Sequence, residues 1–147
     1  MFERFTKDAR ATVRDARREA VSAGADTIEA EHLLLALAGR DEFQALGLDH
    51  DRLADALTEE DRRSLASVGV NRDEIEPPPA TQARREPRFA TSSKLALQRA
   101  LAAAKKRGDR HLDAGHVLLG VLSAEHGRAA RAMRIAEIDV GELREQI

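Results

Sequence analysis

The sequence predicts an all-α fold built from two tandem, pseudo-symmetric repeats of about four helices each. Residues 5–38 align with residues 89–122 without a gap, at a constant offset of 84 positions (89 − 5 = 84). Eight aligned positions are identical, including His32/His116. A gapless match across two helices and their connector indicates that one helical unit was duplicated. No segment alternates apolar and polar residues with period two, so no sheet is predicted.

The composition is that of one small globular protein. Of 147 residues, 42% are hydrophobic and 34% are charged, which is too apolar for a disordered chain. The absence of cysteine excludes disulfides and thiolate chemistry. The net charge of −2 comes from interspersed acids and bases, which predicts no nucleic-acid or membrane partner. The charged N-terminus has no apolar signal-peptide core, and a cytoplasmic location is expected.

The first repeat begins with two helices that have clear start and stop signals. Thr6 is a favourable N-cap for the first helix, and Gly24 ends it. A connector over 25–30 leads to the second helix, which carries the run EHLLLAL and ends at Gly39. Because this second helix is apolar nearly all round, it is predicted to be the buried central helix of its repeat.

The rest of the first repeat is predicted to be enlarged. Residues 42–57 suit a short helix followed by a helix that starts at Asp49, and residues 58–68 suit a further helix. Residues 68–75 resemble residues 46–53, which suggests an added turn-and-helix unit. All four prolines fall within the next segment, 76–88, which is predicted to be an exposed, extended linker.

The second repeat is predicted to contain four helices. The expected spans are 91–107, 115–123, 127–136 and a terminal helix capped by Asp139. The chain is therefore divided as a single domain over 1–147, with repeat one at 1–75, the linker at 76–88 and repeat two at 89–147.

The sequence shows no motif of an enzyme, and neither a cofactor nor a metal is predicted. The phosphate loop GxxxxGK[ST], the zinc motif HExxH and the nucleophile elbow GxSxG are all missing. His32 and His116 recur at the start of the apolar helices. They are candidates for a ligand or a catalytic base, but the unbroken leucine runs after them favour core histidines that bond to the backbone.

Thr6 and Glu31 are the candidate binding residues. Both are predicted at helix starts, where free amides and the helix dipole favour anions. The Thr6 hydroxyl suits a phosphate, and the Glu31 carboxylate suits a guanidinium through a charge-assisted pair. Together they would suit a phosphorylated arginine. The alternative is that Thr6 is only a cap and Glu31 only a first-turn acid.

The chain resembles the N-terminal domain of Clp unfoldases, the double Clp-repeat module, and especially that of the ClpC branch. The repeated pattern of phenylalanine, glycine and H-x-LL and the opening MFERFT carry the resemblance, which covers nearly the whole chain. It implies an all-helical, non-catalytic module that receives substrates and adaptors. ClpC relatives also bind phosphoarginine, and their acceptor pair falls on Thr6 and Glu31. The second repeat has Ala90 and Gly115 at these positions (6 + 84 = 90; 31 + 84 = 115).

The resemblance also implies an apolar contact surface between the repeats, with Phe2 and Phe89 as candidates. In ClpC relatives this surface binds adaptors and certain cyclic-peptide antibiotics. The alternative is that both rings are ordinary core.

The predicted function is therefore a binding module for marked substrates, adaptors or a Clp ATPase. The chain ends without an ATP-binding module, so a stand-alone protein is expected, with an excised domain as the alternative. The alternatives are a regulator or decoy that binds the unfoldase or its adaptors or sequesters antibiotics, and a small enzyme that uses His32 or His116.

Overall fold

The computed structural model describes residues 2–71 and 86–147, which are mostly helical, as the sequence predicts. Within these two ranges, each repeat contributes four helices, and a two-stranded parallel sheet joins the repeats. In chain order the elements are α1 (Lys7–Ser22), β1 (Thr27–Ile28), α2 (Ala30–Ala38), α3 (Asp41–Gln44), α4 (His50–Ser67), β2 (Arg88–Phe89), α5 (Thr91–Arg107), α6 (Ala114–Leu122), α7 (Arg128–Ile135) and α8 (Val140–Glu145).

The two central helices, α2 and α6, are buried as predicted. All nine residues of α2 are buried, and so are seven of the nine residues of α6. Leucine, alanine and valine fill the core around them. The first helix of each repeat packs against its central helix, and α6 approaches α5 so closely that only glycine fits at Gly120. A Cβ atom there would lie 2.0 Å from the carbonyl oxygen of Ala96.

The prediction of two helices over 49–57 and 58–68 is wrong, because α4 is one continuous helix of 18 residues. No glycine or proline interrupts this stretch. Glu59 forms ion pairs with Arg62 and Arg63 one turn further on, at 2.6 Å and 2.9 Å, which favours the helix at the predicted break. The helix ends before Gly69, which has a positive φ of 80°. Residues 72–75, half of the turn-and-helix unit predicted over 68–75, lie outside the described residues.

The prediction of no sheet is also wrong. Strand β1 pairs in parallel with β2, through Thr27 with Arg88 and Ile28 with Phe89. Two residues per strand are too few to produce an alternating pattern, which is why the sequence gives no sign of the sheet. Arg88, the last residue of the predicted linker, therefore belongs to an ordered strand, while residues 76–85 of that linker lie outside the described part of the chain.

The same pairing recurs on the other side of the molecule. Phe5 forms a parallel bridge with Leu112, and these positions are equivalent to Phe89 and Ile28 (5 + 84 = 89; 28 + 84 = 112). The segment that precedes the first helix of each repeat thus pairs with the connector of the other repeat. The two repeats are interlocked rather than placed side by side.

This exchange brings helix starts from different repeats together at two equivalent corners. At the α1–α6 corner, the Asp8 carboxylate accepts a hydrogen bond from the backbone N–H of Ala114, at 3.3 Å. At the α5–α2 corner, the Ser92 hydroxyl accepts from the N–H of Ala30, at 2.8 Å. Asp8 and Ser92 are equivalent positions (8 + 84 = 92), as are Ala30 and Ala114 (30 + 84 = 114).

Candidate functional site

Glu31 lies at the α5–α2 corner, directly after Ala30. Only 5% of the residue is exposed. Its Oε2 atom accepts a hydrogen bond from Nη1 of Arg128, the first residue of α7, at 2.9 Å. A buried carboxylate needs such a partner, because desolvation of an unpaired charge is costly. The residue that the sequence predicts to hold a ligand's guanidinium therefore holds one from its own chain.

Arg128 extends this contact into a network that joins α2, α4 and α7. Its Nη2 atom donates to Oδ2 of Asp61 at 2.6 Å. Arg131, one turn further along α7, donates to Oε1 of the buried Glu60 at 2.7 Å. Hydrogen bonds from Ser64 and Arg131 keep Glu60 ionised: burial alone would raise its pKa, but these partners lower it.

Thr6 caps α1 at the other corner, as predicted. Its hydroxyl oxygen accepts from the N–H of Ala9 at 3.3 Å, and the hydroxyl also contacts the Asp8 carboxylate and the carbonyl oxygen of Leu112. Burial alone would raise the pKa of Asp8. Hydrogen bonds from Thr6 and from the amides of Ala114 and Ala9 lower it below the ordinary value. The helix start that is predicted to bind a phosphate therefore already lies beside the carboxylate of Asp8.

The structure does not bring Thr6 and Glu31 together. Thr6 lies at the α1–α6 corner, where the position equivalent to Glu31 is Gly115. Glu31 lies at the α5–α2 corner, where the position equivalent to Thr6 is Ala90. Each corner therefore has one member of the predicted pair. The alignment alone could not reveal this, because it gives no indication that the repeats exchange their leading segments.

Two open cavities meet at Glu31, Ser92 and Arg128, which border both of them. The α5–α7 cavity has a volume of about 470 Å³ and is lined by the apolar Leu95 and by Arg99. The α2–α4 cavity has a volume of about 840 Å³ and is more polar. Its lining includes four carboxylates, from Glu19, Glu29, Glu31 and Asp61. Sequence reasoning missed Arg128, which is 97 positions from its partner Glu31.

Both repeat histidines are buried and bond to the backbone. Only 5% of His32 and 4% of His116 is exposed. The Nδ1 atom of His32 accepts from the N–H of Glu29 at 2.9 Å, and that of His116 accepts from the N–H of Asp113 at 3.0 Å. The histidines therefore hold the starts of α2 and α6 in place, as the core interpretation predicts and as an exposed catalytic base would not.

Phe2 and Phe89 lie against each other at the junction of the repeats. Their ring centroids are 6.0 Å apart, and Phe2 also makes an edge contact with Phe5 at 4.9 Å. Phe5 is buried and Phe89 is half-buried, whereas Phe2 is 37% exposed. We call the three rings of Phe2, Phe5 and Phe89 the aromatic surface.

The described residues, 2–71 and 86–147, contain no group of three metal-ligating side chains that could hold an ion. No helix within these ranges is both long and apolar enough to cross a bilayer.

The sequence pattern of one family, the Clp repeat (R) N-terminal domain, matches residues 4–85 and 88–147. The chain belongs to this family. The two matched segments correspond to the two interlocked repeats, and together they cover nearly all of the sequence. The resemblance that the sequence indicates is confirmed.

Relatives and solved structures agree with this assignment. The chain is 28% identical to chaperone protein ClpB of Oceanobacillus iheyensis and 26% identical to the negative regulator of genetic competence ClpC/MecB of Bacillus subtilis. Each match covers 100% of this chain and 17% of the relative, so the chain spans about a sixth of their length. The N-terminal domain of ClpD from Arabidopsis thaliana has the same fold, with a TM-score of 0.73 and 21% identity over 99% of this chain and 92% of that domain.

Proposed function

We propose that this Clp-repeat domain is a non-catalytic module that binds polypeptides, either protein substrates or adaptors. The observation that carries the proposal is family membership over nearly the whole chain. The aromatic surface of Phe2, Phe5 and Phe89 adds a specific place for the contact. An exposed aromatic ring supported from below by two others can bury apolar area without rearrangement, which favours binding.

Replacement of Phe2 tests this proposal. A reduced, carboxymethylated protein that stays unfolded would serve as the polypeptide probe, with affinity measured by fluorescence anisotropy. Phe2→Ala is expected to weaken binding about tenfold or more, because an aromatic anchor is lost. Val68→Ala is the matched control, since Val68 is also apolar and is 73% exposed at the end of α4. Equal losses for both variants, or no binding by the natural chain, would contradict the proposal.

Phosphoarginine is the proposed mark on such substrates, and Glu31 is the proposed acceptor of its guanidinium. The support is chemical: Glu31 is buried, already accepts one guanidinium from Arg128, and borders a cavity that Arg99 also lines. Arg99 and Arg128 would supply the positive charge that a phosphate requires. Thr6 remains a candidate phosphate contact, but at the α1–α6 corner, where it would serve a separate site.

Isothermal titration of phosphoarginine into two variants separates these sites. Glu31→Gln is expected to weaken binding by about 1.5–3 kcal/mol, the range for hydrogen bonds to charged groups. Thr6→Val is expected to leave the Glu31 site unchanged. A loss in Thr6→Val alone would move the site to the α1–α6 corner. Arginine and phosphate are the ligand controls, and absence of heat at millimolar phosphoarginine would exclude both sites.

A regulator or decoy that binds a Clp unfoldase or its adaptors is the second candidate. The same aromatic surface favours it, because an adaptor or an apolar cyclic-peptide antibiotic would present the same kind of surface as an unfolded substrate. Immobilised chain mixed with purified Clp ATPase distinguishes the candidates. A regulator is expected to capture the Clp ATPase stoichiometrically, and Phe2→Ala is expected to abolish this capture. A receptor of free substrates is not expected to capture the ATPase.

A further inference from the structure

The equivalent histidines of the two repeats, His32 and His116, differ in the contact that their Nε2 atom makes. In His116, Nδ1 accepts from the backbone, and Nε2 contacts the carboxylate of Asp109 at 2.8 Å. In His32, Nδ1 makes the same backbone contact, but the position equivalent to Asp109 is Ala25 (109 − 84 = 25). The alanine methyl group cannot accept a hydrogen bond. Among residues 2–71 and 86–147, no group accepts a hydrogen bond from His32 Nε2.

The Nε2 atom of His32 is a hydrogen-bond donor. Because Nδ1 accepts the N–H of Glu29, that nitrogen carries the lone pair and Nε2 carries the proton. Burial lowers the pKa of His32, so the ring is neutral near pH 7. The His32 side chain is nearly buried, but its Nε2 atom is accessible from the cavity that the residue lines, and Asp109 shows which kind of group fits this nitrogen in the equivalent repeat.

Both Ala25 and His32 line the α2–α4 cavity. The donor therefore faces a space of about 840 Å³ in which a ligand atom can take the place of the missing Asp109 oxygen. The fold holds this donor rigidly, because His32 is 5% exposed and its other nitrogen is fixed by the start of α2.

The carboxylates of this cavity determine the charge of its occupant. Arg128 holds one oxygen of Glu31 and one of Asp61, and His50 contacts one oxygen of Glu19. Among residues 2–71 and 86–147, the second oxygen of each of these three carboxylates accepts no hydrogen bond. Three carboxylates, each with a free oxygen, favour a cation that reaches several separate acceptors.

An ammonium group suits these acceptors, because each of the three carboxylates has one oxygen left and the three oxygens are on separate side chains. The ammonium of lysine directs three donors to separate acceptors. A phosphate would be repelled by the same carboxylates.

We propose that the α2–α4 cavity binds a lysine residue of an extended polypeptide. Its ammonium group lies among Glu19, Glu31 and Asp61, and a main-chain carbonyl of the same segment accepts the hydrogen bond from His32 Nε2. This inference rests on the proposed polypeptide-binding function and names a residue that the site selects.

A titration with the peptide acetyl-Ala-Lys-Ala-amide tests this site, with the imidazole Nε2–H signals followed by ¹⁵N NMR. Saturable binding is expected, with a shift of the His32 signal and none of the His116 signal. The norleucine peptide, which keeps the shape and removes the charge, is expected to bind at least tenfold more weakly. Equal binding of the two peptides, or a His32 signal that does not move, would overturn the proposal.

Substitutions at the equivalent positions 25 and 109 provide matched variants. Ala25→Asn places an uncharged acceptor beside His32 and is expected to weaken binding of the lysine peptide at least tenfold. Asp109→Ala makes the reverse change in the other repeat and is expected to leave this affinity unchanged. Asp61→Asn, on the half-exposed wall of the cavity, is a second test that does not alter the surroundings of His32. Natural affinity in both Ala25→Asn and Asp61→Asn would also overturn the proposal.

A lysine-free unfolded polypeptide separates this inference from the proposed function. If Phe2-dependent capture of that polypeptide persists while the lysine peptide does not bind, only the lysine site is excluded. If the natural chain captures no polypeptide at all, the proposed function fails, whatever the short peptide does.

Discussion

At the scale of single residues, the most consequential contact is the pair of Glu31 and Arg128. A carboxylate that is only 5% exposed is tolerated because a guanidinium lies 2.9 Å away. Arg128 also reaches Asp61 on α4. The residue proposed to recognise a ligand is therefore part of the packing of three helices, and its binding and structural roles have to be separated by experiment.

Arg128→Gln is expected to lower the free energy of unfolding by about 1–3 kcal/mol, because Glu31 would remain buried without its charged partner. Arg131→Gln is the matched control and should cost less, since Glu60 keeps the hydrogen bond from Ser64. Urea unfolding of both variants measures the difference. Equal losses would show that burial of Glu31 does not depend on Arg128.

Asp8 should make stability depend on acid pH. Its pKa is lower in the folded chain than in the unfolded chain, so its contribution is fully present above the ordinary carboxyl pKa and is lost as pH falls through the folded value. The difference in unfolding free energy between the natural chain and Asp8→Asn should therefore shrink below about pH 4. Urea unfolding from pH 3 to 7 checks this, and a difference that grows on acidification would contradict it.

At the scale of elements, the contact between α5 and α6 has the least tolerance for change. A Cβ atom at Gly120 would lie 2.0 Å from the carbonyl oxygen of Ala96 and 2.8 Å from the amide nitrogen of Ala100. Neither atom belongs to a flexible side chain, so the two helices would have to move apart.

Gly120→Ala is expected to destabilise the chain by about 1–3 kcal/mol or more, because overpacking displaces backbone. Gly39→Ala is the matched control: its φ is −75°, and the nearest atom to a Cβ there is 3.4 Å away. Thermal unfolding by circular dichroism compares the two. A Gly120→Ala chain as stable as Gly39→Ala would show that α5 and α6 are less closely packed than described.

Most of the helices could be predicted from the sequence, because particular residue types mark where they begin and end. Thr6 and Asp49 cap helices by accepting backbone amides, and Gly108 ends α5 in the left-handed conformation. The error over 58–68 has a physical reason: Thr58 resembles a cap, but no helix-breaking residue follows the preceding turn, so α4 continues through it. Propensity alone does not distinguish a cap from an interior threonine.

At the scale of the whole molecule, the duplication could be predicted and the interlocking of the repeats could not. The alignment of the two copies fixes which residues are equivalent. It does not fix which copy supplies each neighbour, because that depends on two-residue strands without a periodic pattern. The alignment therefore predicts that Thr6 and Glu31 act together within one repeat, whereas the fold places them at different corners.

Amide NMR tests whether this Clp-repeat domain binds polypeptides at the junction of its repeats. The labelled chain would be titrated with an unfolded, carboxymethylated protein. Saturable shifts are expected, concentrated at Phe2, Phe89 and the α5–α2 corner. Shifts confined to other surfaces, or none at millimolar probe, would contradict it.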